Sequence, residues 1–193
     1  MTKTRVEAFS DGVMAIIITI MVLEMKVPHE ASWSALEKLW PVFLSYVFSF
    51  INLGIYWGNH HHLLHTIKEV RGGILWANLH LLFWLSLIPF ATAWMGENHF
   101  EQNTVMTYAI LASLNGIAYY ILLTVIKKCN PDNEGLQKVL QKQTKKGMLS
   151  NVFNILAIPV ALIHPALSGL LILIVYIMWL MPDRNIERAI DNG

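Results

Sequence analysis

The chain has 193 residues, of which 55% are hydrophobic and only 14% charged, with a formal net charge of +1. Soluble domains carry about 25% charged residues, so this composition excludes an ordinary soluble domain, and the near-neutral balance shows no sign of a nucleic-acid partner. The single cysteine, Cys129, excludes an intrachain disulfide and a multi-cysteine zinc site.

Six apolar segments follow in order: Arg5–Val27, Leu36–His65, Ile74–Trp94, Val105–Ile126, Met148–Ile163 and Ala166–Met181. They predict an all-α polytopic membrane protein with six transmembrane helices in a single repeat, one domain over residues 1–193. In the first, Thr4 and Glu7 fit a capping box that starts the helix just ahead of Arg5. The apolar run from Gly12 to Leu23 is short against the ~20 residues of a free-standing span, so this helix is expected inside an assembly. Lys3 and Arg5 ahead of an apolar run also resemble a signal peptide. No small-residue cleavage site follows, and Glu24 and Lys26 interrupt the run, so the segment is expected to stay. Pro41 sits where the first turns of the second helix tolerate a proline. The stretch Lys127–Gly147 reads as a basic loop that orients the chain and meets anionic lipid. Only His164 and Pro165 separate the last two segments, which predicts a tight helical hairpin.

Orientation follows from the basic residues. With the N-terminus inside, Lys3, Arg5, Lys68, Arg71, Lys127, Lys128, Lys138, Lys142, Lys145, Lys146, Arg184 and Arg188 fall on the cytoplasmic side, against Lys26 and Lys38 outside. That bias predicts a multi-pass protein of the plasma or inner membrane with both termini cytoplasmic. It also sets depth. Ser10 and Asp11 of the first helix meet Trp57, Asn59, His60, His61, His62 and His65 of the second at one level. Trp76, Asn78 and His80 of the third and Ser150, Asn151 and Asn154 of the fifth join them. Buried polar groups need partners, so a network centred on Asp11 is expected, supported by Trp57, His60, His61, Asn78 and Asn151. The outer halves of these helices read as mostly apolar.

On a helical wheel, Arg5, Phe9, Gly12, Ile16, Ile20, Leu23 and Val27 fall on one stripe, with Thr19 at its edge. Asp11 points roughly 140° from Ile16 and Ser10 about 120° on the other side, so the polar pair faces neighbouring helices. The stripe then packs in a bundle, or it lines a pore whose apolar constriction gates by dewetting. The cluster HHHLLH at residues 60–65 could bind metal or haem. No carboxylate or cysteine completes a known spacing, so hydrogen bonding of His60 or His61 is expected and no metal site is assigned. Glu24, Glu30, Glu37, Glu97 and Glu101 lie towards the outer face, where a ring of Glu24 could concentrate cations. Trp33, Trp40, Trp94 and Trp179 read as interfacial anchors, Trp57, Trp76 and Trp84 as packing residues.

Residues 5–11, RVEAFSD, resemble the RxxxFSD motif of the transmembrane-protein-175 family of potassium-permeable channels, at the same place on the first helix. The six-span layout, the Trp57–His60 region and the stretch NLHLLFWLSLIPF at residues 78–90 resemble it too. The resemblance implies a cation channel without a TVGYG-type carbonyl filter, and no such string occurs here. It implies a homotetramer whose pore is lined by the first helix, with Ile16, Ile20 and Leu23 as the filter or gate and Thr19 as a selecting hydroxyl. Arg5, Phe9, Ser10 and Asp11 then hold that helix in place. Lipid, monovalent cations and three further copies are the implied partners, and potassium is the permeant ion, with no cofactor and no enzymatic activity. Proton conduction on the same architecture and secondary transport are the alternatives, although no internal repeat supports the latter.

Overall fold

The computed structural model describes residues 2–67, 69–129, 131 and 134–180. Lys68, Arg184 and Arg188 of the basic set, and Met181 at the end of the sixth segment, lie outside the described residues. Eight α-helices run through them: α1 Lys3–Leu23, α2 Trp33–Glu37, α3 Trp40–His65, α4 Gly72–Leu85, α5 Ile88–Glu97, α6 Gln102–Cys129, α7 Glu134–Ile163 and α8 Pro165–Leu180. Five stretches are long and apolar enough to cross a membrane, α4 and α5 counting as one, and α8 is a shorter apolar helix of 16 residues. No strand occurs among the described residues.

Bonds between helix ends establish the antiparallel order. Lys3 Nζ donates to the His65 carbonyl at 2.7 Å, joining the start of α1 to the end of α3. At the opposite end Lys26 bonds Glu97 at 2.8 Å, a pairing that raises the Lys26 pKa above its ordinary value. Gln102 reaches the Leu162 carbonyl there at 3.3 Å. Lysines at the ends of α6 and the start of α7 therefore share one end of the bundle with Lys3 and Arg5.

The inner face of α1 consists of Val6, Ser10, Met14, Ile17 and Met21, spaced by three and four so that they fall on one side. This face packs on α3, α4 and α5. The predicted capping box is not formed. The helix begins at Lys3 with Thr2 as N-cap and no side-chain cap, leaving Thr4 exposed inside the first turn. Glu7 turns to Lys3 instead, at 3.9 Å one turn away. The helix also stops at Leu23, not Val27, as the chain departs to place Lys26 on Glu97.

The third apolar segment is broken. Pro89 has no N–H to give the Leu85 carbonyl, so α4 ends there and α5 restarts with the proline in its first turn. The stretch Lys127–Gly147 corrects the sequence reading most. Instead of a loop, α6 continues to Cys129 and α7 begins at Glu134. Leu136, Val139, Leu140 and Gln143 recur at helical spacing and are buried, while Lys138, Lys142 and Lys145 remain exposed. Gln137 ties this segment to the Lys127 carbonyl at 2.9 Å. An amphipathic pattern was present, but its many lysines and glutamines masked it.

Three tryptophans also differ from expectation. Trp179 is buried and donates to Ser150 Oγ at 2.8 Å rather than anchoring at an interface. Trp76 and Trp57 are exposed rather than packed.

At the far end, α5 crosses α3 closely. A Cβ added at Gly96 would stand 2.7 Å from Val42 Cα and press on Ser45 as well. Because backbone cannot give way as a side chain can, Gly96→Ala is expected to cost about 1–3 kcal/mol. A thermal-denaturation series of the purified protein measures this; an unchanged midpoint would refute the close crossing.

Candidate pore helix and its supporting network

Among the described residues, little covers the outer face of α1. Phe9 is 50% exposed, Ile16 58%, Ile20 40% and Leu23 77%. Arg5, Gly12 and Thr19 are exposed with them, as is Glu24 just beyond the helix end. The Thr19 hydroxyl donates back to the Ile16 carbonyl at 2.9 Å, which satisfies its hydrogen and leaves its oxygen as an acceptor on that face. A groove of about 460 Å³ runs beside the stripe, between Val13, Ile16, Ile17 and Ile20 of α1 and Pro89, Phe90 and Ala93 of α5. The helix break at Ser86–Leu87 thus borders this groove.

Behind the stripe stands a closed chain of hydrogen bonds. Asn78 of α4 donates through Nδ2 to Ser10 Oγ at 2.9 Å, and Ser10 passes its own hydrogen to the Val6 carbonyl at 2.8 Å. On its other side, Asn78 Oδ1 lies 2.6 Å from His60 Nε2 of α3. An amide oxygen only accepts, so Nε2 carries the hydrogen. Ser10, Asn78 and His60 are buried. One asparagine therefore links three helices, donating to Ser10 of α1 and accepting from His60 of α3.

Asp11 is not the centre of this network. It accepts from Trp57 Nε1 at 3.0 Å, on the half-exposed flank between α1 and α3. From Trp57 a row of rings continues along α3: His61 at 6.3 Å, then His65 stacked on His61 at 6.1 Å. His61 is exposed and belongs to this row, not to the buried chain. Asn151 is displaced further. It packs against Gly116 of α6, and its Oδ1 has no hydrogen-bond partner. Equal depth placed it with Ser10, but depth carries no angular information, and α7 stands on the other side of the bundle. Among the described residues, no three His, Cys, Asp or Glu side chains are grouped to hold a metal ion.

A family model described as the endosomal/lysosomal potassium channel TMEM175 matches residues 5–89. A protein named a potassium channel from Chryseobacterium sp. is 52% identical over 193 residues, the full length of both chains. The chain belongs to the TMEM175 family. The crystal structure of a lysosomal potassium-selective TMEM175 homolog from Chamaesiphon minutus is similar with a TM-score of 0.72. It shares 26% identity and covers 92% of this chain and 95% of that one. A chicken relative named an endosomal/lysosomal proton channel is 30% identical over 142 residues, 64% of this chain and 28% of its own length.

The TMEM175 model's 5–89 match runs from Arg5 to Pro89. It holds both the Ser10–Asn78–His60 chain and the Asp11–Trp57 pair. A second polar cluster that the sequence reading missed lies only partly within it. Thr92 of α5 donates to Ser49 of α3 at 2.6 Å. Ser49 donates to the Tyr108 hydroxyl of α6 at 3.0 Å, which lies 3.0 Å from the Tyr176 hydroxyl of α8. Hydroxyls thus link α3, α5, α6 and α8 away from the Ser10–Asn78–His60 level. The signal was present on α3, where Ser45, Ser49, Asn52, Asn59 and His60 recur at helical spacing and form the buried face.

The two anchors of α1 differ in burial, which sets their worth. Asn78→Ala strands His60 Nε2 and Ser10 Oγ inside the protein and is expected to cost about 1–3 kcal/mol. Trp57→Phe removes a half-exposed bond to Asp11 and is expected to cost less than about 1 kcal/mol. Thermal midpoints of both variants in one detergent check the order, and the reverse ranking would return Asp11 to the centre of the network.

Proposed function

We propose that this chain is a potassium-selective channel working as a homotetramer, with α1 of each subunit lining a central pore. The full-length 52% identity to a protein named a potassium channel carries the ionic reading. The uncovered face of Ile16, Ile20 and Leu23 supports the placement of the pore. Large aliphatic side chains that the described residues leave open are suited to meet lipid or a copy of the same helix. The groove along α1 and α5 offers a neighbouring subunit a seat beside that face.

In this reading, rings of Ile16, Ile20 and Leu23 form an apolar constriction with few oxygens to replace water. Selectivity then rests on how readily an ion sheds or narrows its hydration shell, which favours potassium over the more tightly hydrated sodium. The Thr19 oxygens add one ring of acceptors between two apolar ones. Arg5, Phe9, Ser10 and Asp11 do not catalyse or coordinate; Ser10 and Asp11 set the rotation of α1 through Asn78 and Trp57. The basic end of the bundle faces the cytoplasm of a plasma or inner membrane, following the positive-inside bias, and both termini lie there. The permeant potassium ion is the only ligand this function requires.

Flux from purified protein in liposomes under opposed potassium and sodium gradients tests the reading. Wild type is expected to set a potential near the potassium equilibrium value, and Ile16→Ala or Ile20→Ala to lower the potassium-over-sodium preference. Unchanged selectivity in both variants would remove the pore from this face of α1. A potential that follows the pH gradient instead would make protons the conducted ion.

A further inference from the structure

α6 and α7 meet along two stripes rich in small and amide residues. Ala112, Asn115, Gly116 and Tyr119 share one face of α6, and Gly147, Ser150, Asn151 and Asn154 share one face of α7. Glycine and alanine let the backbones approach, as is usual between membrane helices. The amides are left poorly provided. Asn115 is fully buried, and neither its Nδ2 nor its Oδ1 has a partner; Oδ1 of Asn151 and Oδ1 of Asn154 lack one too. Asn154 is 4% exposed, and its Nδ2 donates to the Ala112 carbonyl at 3.3 Å.

Beside this seam lies a cavity of about 40 Å³, walled by Asn52 and Tyr56 of α3, Gly116 of α6, Asn154 of α7, and Tyr176 and Trp179 of α8. Asn154, whose Oδ1 is unpartnered, is part of its wall. Buried polar atoms without any partner are rare, and one of them, Asn154 Oδ1, belongs to a wall residue of this open space, which calls for a small polar occupant. A water needs about 10–15 Å³ of such space, so about two or three fit.

We propose that this cavity holds ordered water bonded to Asn154 of the α6–α7 seam, a hydration site inside each subunit and separate from the α1 face. The wall offers hydroxyls and amides that both donate and accept but no carboxylate to balance a monovalent cation, which favours water. Water both donates and accepts. Tyr176 then joins the site to the line of hydroxyls through Tyr108 and Ser49 to Thr92. The subunit would thus be hydrogen-bonded from α5 across to α7. This inference does not depend on which ion the pore conducts.

Hydroxyl-radical footprinting of the full chain in lipid nanodiscs, with ¹⁸O-labelled water, tests it, because a bound water marks the side chains beside it. Wild type is expected to incorporate label at Tyr56, Tyr176 or Trp179, and Asn154→Leu, which fills the space and removes an acceptor, to lose it. Should Asn154→Leu fail to fold, the wild-type measurement still decides. No label at these three residues in the intact protein would overturn the proposal, as would undiminished label in a folded Asn154→Leu. A thermal midpoint that rises with potassium in wild type and not in Asn154→Leu would overturn it in favour of a cation site.

Discussion

The structure depends on a constraint that membranes impose and water does not: a polar group inside the bundle must find its partner there, because lipid offers none. Apolar surface gives little help in choosing neighbours here, because lipid tails welcome an isoleucine as readily as a helix does. Partner choice then falls to the few hydrogen-bonding side chains. Asn78 is the principal case, joining Ser10 of α1 and His60 of α3 from its place on α4. Three helices are set in register and rotation by two bonds from one side chain.

That rotation has consequences on the opposite side of α1. With Ser10 pointing inward, Met14, Ile17 and Met21 follow it into the core, and Ile16, Ile20 and Leu23 are left on the outer surface. Turning the helix by one residue would bury the isoleucines and expose the serine. The buried network and the apolar stripe are therefore two results of one angle. The flanking Asp11–Trp57 bond reinforces the same angle from a half-exposed position.

The other half of the subunit repeats the principle with hydroxyls and amides. Ser49, Thr92, Tyr108 and Tyr176 tie α3, α5, α6 and α8 together, and Trp179 reaches Ser150 across α7 and α8. Lys146 lies 4.5 Å above the Trp179 ring, so the basic start of α7 also contributes to packing. The break at Pro89 places α5 where Thr92 and Gly96 can approach α3.

Much of this was legible in the residues. Long apolar runs marked the membrane helices, and of the six read from length and hydropathy five are long enough to cross while α8 is shorter. The wheel separated Ser10 from Ile16, since the angle between two residues of one helix is set by its pitch. The RxxxFSD stretch carried the resemblance to the family now shown. What the residues could not convey was azimuth between helices. Asn78 and Asn151 stand at the same depth with the same side chain, yet one bonds Ser10 and the other packs on Gly116. Asp11 and Ser10 are adjacent, yet only Ser10 enters the core. Helix ends were lost for a related reason: α7 begins at Glu134 because its few apolar residues find α6 beside them, a contact invisible in a lysine-rich string. Pitch and hydropathy are properties of a single segment, whereas partnership depends on which segments the fold brings side by side.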